Sequence, residues 1–368
     1  RGHGEGRGTV TFCECEVDGY CNRYNREQRG RFREICAGVN CDLGTAAAFR
    51  EQWKQEGLLK DTSNSAKNTH YSKAIPLLLK TVQAPGDAVV ATAAIYSLHH
   101  AHPGKYLTAV ESPHMEVFAH NPDVVPAGFV PDALPLQMHY PAIHQSNQRG
   151  IHFVQGFCEH IGAALGVPVP LLTNRPRLYF ADPAPPVEDF WVVCSGGKRD
   201  FTCKLWGHDR YQEVVDKLVG SIRFVQVGSA EDDHPQLRGA KYMVGQTTTL
   251  RQLFNLVRRA RGVLCGVSLL MHVAAALEKP AVVVAGGREP VQWNAYPKQH
   301  YLHTVGALSG SSPQGDVGGA CWRGRVVPLG DSDALDKDPC LRPVGGVPEC
   351  MTMVKPVEVV DLILRYNR

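Results

Sequence analysis

No run of roughly eighteen apolar residues occurs in this 368-residue chain, which excludes a membrane-spanning helix. No excess of either charge is present. The 39 Lys and Arg against 36 Asp and Glu leave a net +3, too little for the basic footprint of a nucleic-acid-binding protein. No internal repeat is visible, which argues against a solenoid. Residues 1–8, RGHGEGRG, lack the apolar core of a signal peptide and read as a flexible lead-in. With 43% hydrophobic and 20% charged residues, the expectation is a soluble, cytoplasmic globular protein.

Glycine (36) and proline (25) are frequent, so many loops are expected. Cysteine is the unusual abundance, with 12 residues. Cys13, Cys15, Cys21, Cys36 and Cys41 cluster at one end and Cys321, Cys340 and Cys350 at the other. Cys158, Cys194, Cys203 and Cys265 stand singly between them. Terminal clusters favour a metal over disulfides, although free thiols and disulfides stay open. Zinc and Fe–S centres each take about four ligands, and the N-terminal spacings fit no standard finger. The three C-terminal thiols need a further ligand, from the N-terminal cluster or from a histidine. Structural iron, zinc or an Fe–S cluster are the candidate ions, and such an ion would let a small module fold with little core.

The length suits more than one core. Residues 1–65 read as a Cys- and Arg-rich module with two short helices. From residue 66 the pattern alternates. AIPLLLKTV is a strand, GDAVVATAAIYSLHHAHPG a helix and YLTAVES the next strand. IHFVQGFCEHIGAALG is an amphipathic helix that precedes a second unit beginning near residue 181. There FWVVCSGG, RFVQVGSAED, GVLCGVS and PAVVVAGG read as buried strands. RYQEVVDKLVGSI, TLRQLFNLVRRARG and LLMHVAAALEK are the helices between them. The fold class is α/β, with doubly wound parallel sheets over 66–180 and 181–305. Residues 306–368 form a Cys-containing extension that closes with the helix VEVVDLILRYNR.

Two stretches carry a resemblance. PGDAVVATAAIYSLHHAHPG resembles the N-terminal signature of the heptosyltransferase-like glycosyltransferases, family 9, and VGQTTTLRQLFNLVRRARGVLCGVSLLMHVAAALEKPAVVVAGG resembles its donor-domain signature. The resemblance spans about residues 73–300. It implies a GT-B arrangement: residues 66–180 would bind the acceptor and 181–305 a nucleotide-sugar donor. It also implies inverting transfer of a sugar, a heptose among the candidates, with no cofactor required for the chemistry. The cysteines resemble the autotransporter-heptosyltransferase branch, which carries an iron-binding cysteine finger and glycosylates protein hydroxyls. Around Ser311 and Ser312 that pattern has further cysteines, so this chain departs from it.

An inverting transfer needs a base for the acceptor hydroxyl, and Asp87 matches the family's catalytic aspartate in its Gly-Asp context. Read without the resemblance, Asp87 is a helix N-cap. Ser195, Gly196 and Gly197 form a turn whose backbone can approach a phosphate. Lys198 and Lys204 are its candidate cations, and Lys204, before Trp206, is the better match. Gly228 and Ser229 would border the base, with Glu231 on the ribose diol. Ser268, Met271 and His272 form the last donor-binding group; here Val267-Ser268-Leu269 replaces the family's Asp-Ser/Thr-Gly, which removes a carboxylate. GGREPVQWNAYPKQHYLH reads as a polar and aromatic loop. It carries Arg288, Gln292, Trp293 and His300, with Trp293 either a sugar-stacking face or core.

The expected partners are a nucleotide-sugar donor and a carbohydrate or protein hydroxyl, with no nucleic acid and no membrane span, and with a homo-oligomer open. The alternative is a non-catalytic nucleotide- or sugar-binding scaffold with a structural metal, motivated by Val267. A metal-dependent redox protein is a third reading, motivated by the thiols alone.

Overall fold

A computed structural model describes residues 74–130, 132–138, 149–308 and 319–367. The predicted N-terminal cysteine module, with Cys13, Cys15, Cys21, Cys36 and Cys41, lies outside the described residues. The described chain divides into two compact units. Among the described residues no helix is long and apolar enough to cross a membrane.

The first unit contains β1 (Ile75–Lys80), β2 (Tyr106–Glu111) and β3 (Leu134–Gln137). They form a parallel sheet in the order β2-β1-β3. Leu77 and Leu79, on alternate positions of β1, are buried, as a strand covered on one face requires. Helix α1 (Pro85–Ala101) follows β1. Proline opens it where a missing N–H is harmless, and Ala88, Val89, Ala93, Ala94 and Leu98 bury fully. Its residues up to Ser97 group with the second unit, and those from Leu98 with the first.

The second unit continues with α2 (Phe153–Leu165), capped by His152, which accepts from Val154 N, and ended by Gly166 at φ 63°. Then come β4 (Trp191–Cys194), a 3-10 turn over Arg199–Lys204, α3 (His208–Leu218), β5 (Phe224–Gln226) and β6 (Ala240–Tyr242). After them follow α4 (Leu250–Arg259), β7 (Gly262–Gly266), α5 (Leu269–Ala276), β8 (Ala281–Gly286), α6 (Val291–Asn294) and β9 (Gln299–His303). The six strands pair in parallel in the order β6-β5-β4-β7-β8-β9. Chain order reverses between β4 and β7, the switch point where such sheets bind ligands at their carboxyl ends. The continuous apolar runs of β4, β7 and β8 follow from burial on both faces.

The C-terminal extension packs on this sheet. It contains the short hairpin β10 (Pro343–Val344) and β11 (Val347–Pro348), then α7 (Glu349–Met353) and α8 (Pro356–Tyr366). It also clamps the turn after β4. Cys203 N donates to Gly324 O at 3.0 Å, Val326 N to Thr202 Oγ1 at 2.8 Å and Trp206 Nε1 to Val354 O at 3.1 Å. The buried Arg325 guanidinium pairs bidentately with Asp331, at 2.7 and 2.9 Å, and also contacts Asp336 and Asp200.

The alternation of strands and helices read from the sequence is present, and the structure adds what that reading lacked. β3 (LPLQ) and β6 (AKY) are too short to stand out in the sequence. Each is recruited by pairing with a longer neighbour, a tertiary effect. The segment read as one loop, residues 286–303, contains α6 and the edge strand β9; β9's polar QHYLH pairs with the fully buried β8.

Gly262 lets β7 pass the Trp191 indole: a Cβ there would lie 2.7 Å from Trp191 Cη2, inside a core where Trp191 is wholly buried. Gly262→Ala is expected to destabilise the protein by about 1–3 kcal/mol. Urea unfolding checks this; an unchanged midpoint overturns it.

Candidate functional site

Four segments of the second unit meet at the carboxyl ends of β4, β7 and β8. Asp87 enters on the first turn of α1. It is not the N-cap. It stands three residues after Ala84, whose amide donates back to its carboxylate, half of a capping box. Gly86 is explained by a close approach, since a Cβ there would lie 3.2 Å from His272 Cδ2 and 3.5 Å from Leu269 Cα. The Gly-Asp pair thus joins the start of α1 to the start of α5.

Lys204 ends the 3-10 turn after β4, and its Nζ lies 2.9 Å from Glu289 Oε1. Glu289, in the loop after β8, is only 2% exposed. It also accepts from Asn294 Nδ2 at 2.7 Å and contacts the Arg288 guanidinium. Arg288 in turn donates through Nε to Arg323 O at 2.7 Å. Burial alone would raise the Glu289 carboxyl. Lys204, Arg288 and Asn294 outweigh it and hold the group down at about 2. Lys204 is pulled below the usual lysine range, first by desolvation, against the attraction of Glu289. Its side chain is 29% exposed, so it keeps a face toward solvent.

Asp87 behaves in the opposite way. Desolvation pushes its carboxyl from 3.8 up to about 7; the nearby Lys204 ammonium opposes this and Glu289 reinforces it. His272 is buried, shares a 2.8 Å hydrogen bond between Nδ1 and Tyr296 Oη, and is driven by burial to about 3. It is therefore neutral at physiological pH. Tyr296 stacks edge-on with His272 and with His152, ring centroids 5.6 and 5.0 Å apart, and feels the Asp87 charge. One neutral imidazole–phenol wall, one carboxylate with high proton affinity and one lysine therefore share a site. Such a set can take a proton from a hydroxyl and meet an anion.

The other residues singled out from the sequence are placed differently. Ser195 is buried and accepts from Gln226 Nε2 at 3.1 Å. Gly197 N already donates to Asp233 O at 3.3 Å, and a Cβ on Gly196 would overlap that same oxygen. The glycine turn is thus covered by the chain itself. Gly228 faces the His234 ring, which a Cβ would meet at 2.3 Å. Both glycines admit this imidazole. Lys198, Ser229 and Glu231 are exposed. Ser268 stands at the N-cap of α5 without a side-chain capping bond. The Met271 side chain is wholly buried, so it belongs to the core. Trp293 is also packed, tilted 4.5 Å from Phe153 and edge-on 4.9 Å from Trp322. His300 lies against Tyr366, 5.2 Å between centroids. Glu289, Asn294, Tyr296 and His152 were missed from sequence. Only the REP of GGREP, a charged pair interrupting an apolar strand end, offered a signal for Glu289.

Cys321, Cys340 and Cys350 do converge, lining one cavity of about 50 Å³. Cys203 donates to Cys340, which holds the Cys203 thiol protonated and favours the Cys340 thiolate. Among the described residues, however, no three His, Cys, Asp or Glu side chains are arranged to hold a metal ion. The three thiols are thus near one another, and the further ligand expected from the N-terminal cluster lies outside the described residues.

Residues 143–310 match the sequence model of glycosyltransferase family 9 (heptosyltransferase). No curated protein matches at a significant level. In solved structures the fold is similar to the iron-containing dodecameric glycosyltransferase TibC of enterotoxigenic E. coli H10407, at 15% identity and TM-score 0.55, over 80% of this chain and 77% of that one. TibC in complex with ADP-D-β-D-heptose gives 16% identity and 0.54 over 80% and 76%. A family 9 glycosyl transferase from Veillonella parvula DSM 2008 gives 12% and 0.55 over 81% and 99%. The match to the family model thus covers part of the chain, residues 143–310, and the likeness to these structures is one of fold.

Asp87 also sets a pH dependence of stability. Between its ordinary 3.8 and about 7 the unfolded chain releases this proton while the folded chain keeps it, so its contribution to stability falls as pH rises through that window. Asp87→Asn is expected to gain stability relative to wild type as pH rises from 4 to 7, and to hold that gain above 7. Urea midpoints at pH 5 and 8 test this; equal differences at both would contradict it.

Proposed function

We propose that this protein is an inverting glycosyltransferase that moves a sugar, a heptose by the family match, from a nucleotide-sugar donor to an acceptor hydroxyl. The observation that carries the reading is Asp87, a carboxylate with a proton affinity near neutrality, on the same site as the Lys204 ammonium. The acceptor is a carbohydrate or protein hydroxyl. As its oxygen bonds to the anomeric carbon, its proton passes to Asp87 and the bond from that carbon to the donor phosphate breaks. The departing diphosphate carries the negative charge, and Lys204 is the cation placed to meet it. The neutral His272–Tyr296 wall excludes water and adds no competing charge. An ADP donor, a GT-B arrangement, a homo-oligomeric assembly and a cytoplasmic location belong to the same proposal.

The roles for Lys198, Gly228, Ser229, Glu231 and Ser268 at the donor remain part of it through their loops at the strand ends. Ser195, Gly196 and Gly197 serve more as the support of that turn, since their own contacts are internal. The described thiols do not fit an iron or zinc site by themselves, so no step is routed through an ion; any such ion would draw ligands from outside the described residues. A non-catalytic sugar- or nucleotide-binding scaffold is the second reading. It is favoured by Val267, which stands where the resemblance expects a carboxylate.

With ADP-heptose and a hydroxyl acceptor, Asp87→Asn is expected to lower kcat by about 100-fold or more with donor KM nearly unchanged. Lys204→Met is expected to raise donor KM. Steady-state transfer assays read both. Undiminished transfer in Asp87→Asn removes the base assignment, and absence of transfer or donor hydrolysis by the wild type, with nucleotide binding retained, favours the scaffold.

A further inference from the structure

Glu289 is the most enclosed ionised group of the site, and nothing in the transfer chemistry itself requires it. Its partners come from every element around it: Lys204 from the turn after β4, Arg288 from its own loop and Asn294 from α6. Tyr301 on β9 donates to its backbone oxygen at 3.3 Å. Asp87 on α1 and His272 on α5 feel its charge. A carboxylate this buried is costly unless it is paired. Here the pairing places a negative charge against Lys204, the lysine that acts most strongly on the proposed base.

We propose that Glu289 is a positioning residue: its buried carboxylate, itself fixed by Asn294, holds the Lys204 ammonium in place in the site that carries Asp87. This rests on the transferase reading. Before the donor binds, Glu289 supplies the negative partner that a diphosphate later supplies from the solvent-facing side of Lys204. Its charge acts on Asp87 twice. It repels the ionised Asp87 directly, and it shares the ammonium that would otherwise favour that ionisation. Both effects make Asp87 a stronger base than a carboxylate facing Lys204 alone. Of the other groups near Asp87, Lys198 and the Ala84 amide favour its ionised form. Tyr296 is held neutral by burial.

The test follows Asp87 itself as well as turnover. The protonated Asp87 carbonyl band, taken from infrared difference spectra against Asp87→Asn, gives its midpoint in each variant, and kcat/KM against pH gives the acid limb. Glu289→Gln is expected to move both to lower pH by about one unit or more, because a nearby like charge is lost and an opposite one is freed. Lys204→Met is expected to move the midpoint up, and Glu289→Asp to leave it close to wild type. If Glu289→Gln alone does not fold, because it strands Lys204, the double variant Lys204→Met/Glu289→Gln removes both charges. Its midpoint is expected to fall below that of Lys204→Met. An unmoved midpoint in Glu289→Gln, or equal midpoints in Lys204→Met and the double variant, overturns the proposal and leaves Glu289 a structural ion-pair partner. Midpoints that move as expected while Asp87→Asn transfers sugar undiminished overturn the base assignment, and midpoints that move as expected in a protein whose wild type transfers no sugar overturn the transferase reading; either result leaves the charge coupling intact.

Discussion

The pairing of Lys204 with Glu289 joins two loops that leave different strands of the same sheet. One partner follows β4 and the other β8, with β7 between them. The ammonium can sit beside Asp87 only because a buried carboxylate stands on its other side. Desolvating a lysine next to Arg288 without such a partner would be costly, and the side chain would turn out to solvent. The rest of the site is arranged around this constraint. Asn294 satisfies the second Glu289 oxygen, Arg288 is anchored by a backbone carbonyl of the extension, and the neutral His272–Tyr296 pair fills the remaining side.

The C-terminal extension has a part in this that its cysteines obscure. Its backbone bonds to Thr202, Cys203 and Trp206, the residues that flank Lys204. Arg325, fully enclosed and bonded to three aspartates, stiffens the segment that makes those bonds. The extension is thus a brace for the turn that carries the lysine. Its described thiols gather at the same place without forming a metal geometry. A cluster by sequence spacing and a ligand set in space are different things, because ligation fixes directions as well as distances.

Three glycines, Gly196, Gly228 and Gly86, show how one sequence feature can have different causes. Ser195-Gly196-Gly197 after a strand suggests backbone amides opened to an anion. In the fold, Gly196 and Gly228 instead make room for the His234 imidazole and the chain beside it. Gly86, read only as the neighbour of Asp87, is required by the approach of His272. In each case the missing Cβ is needed, and for Gly86 and Gly196 what occupies the space comes from far away in the chain.

The sequence by itself determined the α/β alternation, the long buried strands and the helix that follows the first of them, and it pointed to Asp87, Lys204 and His272 as candidates. Those features are written in local periodicity, in caps and in short motifs, which neighbouring residues decide. Only the tertiary structure decided that short polar segments such as AKY and QHYLH become strands, because a paired backbone edge recruits them. It also decided that Met271 and Trp293 are core, and that Glu289, Asn294 and Tyr296 complete the site. A carboxylate's proton affinity depends on how much water is removed and which charges stand within a few ångströms, and both are set by segments that the chain brings together from some 200 residues apart.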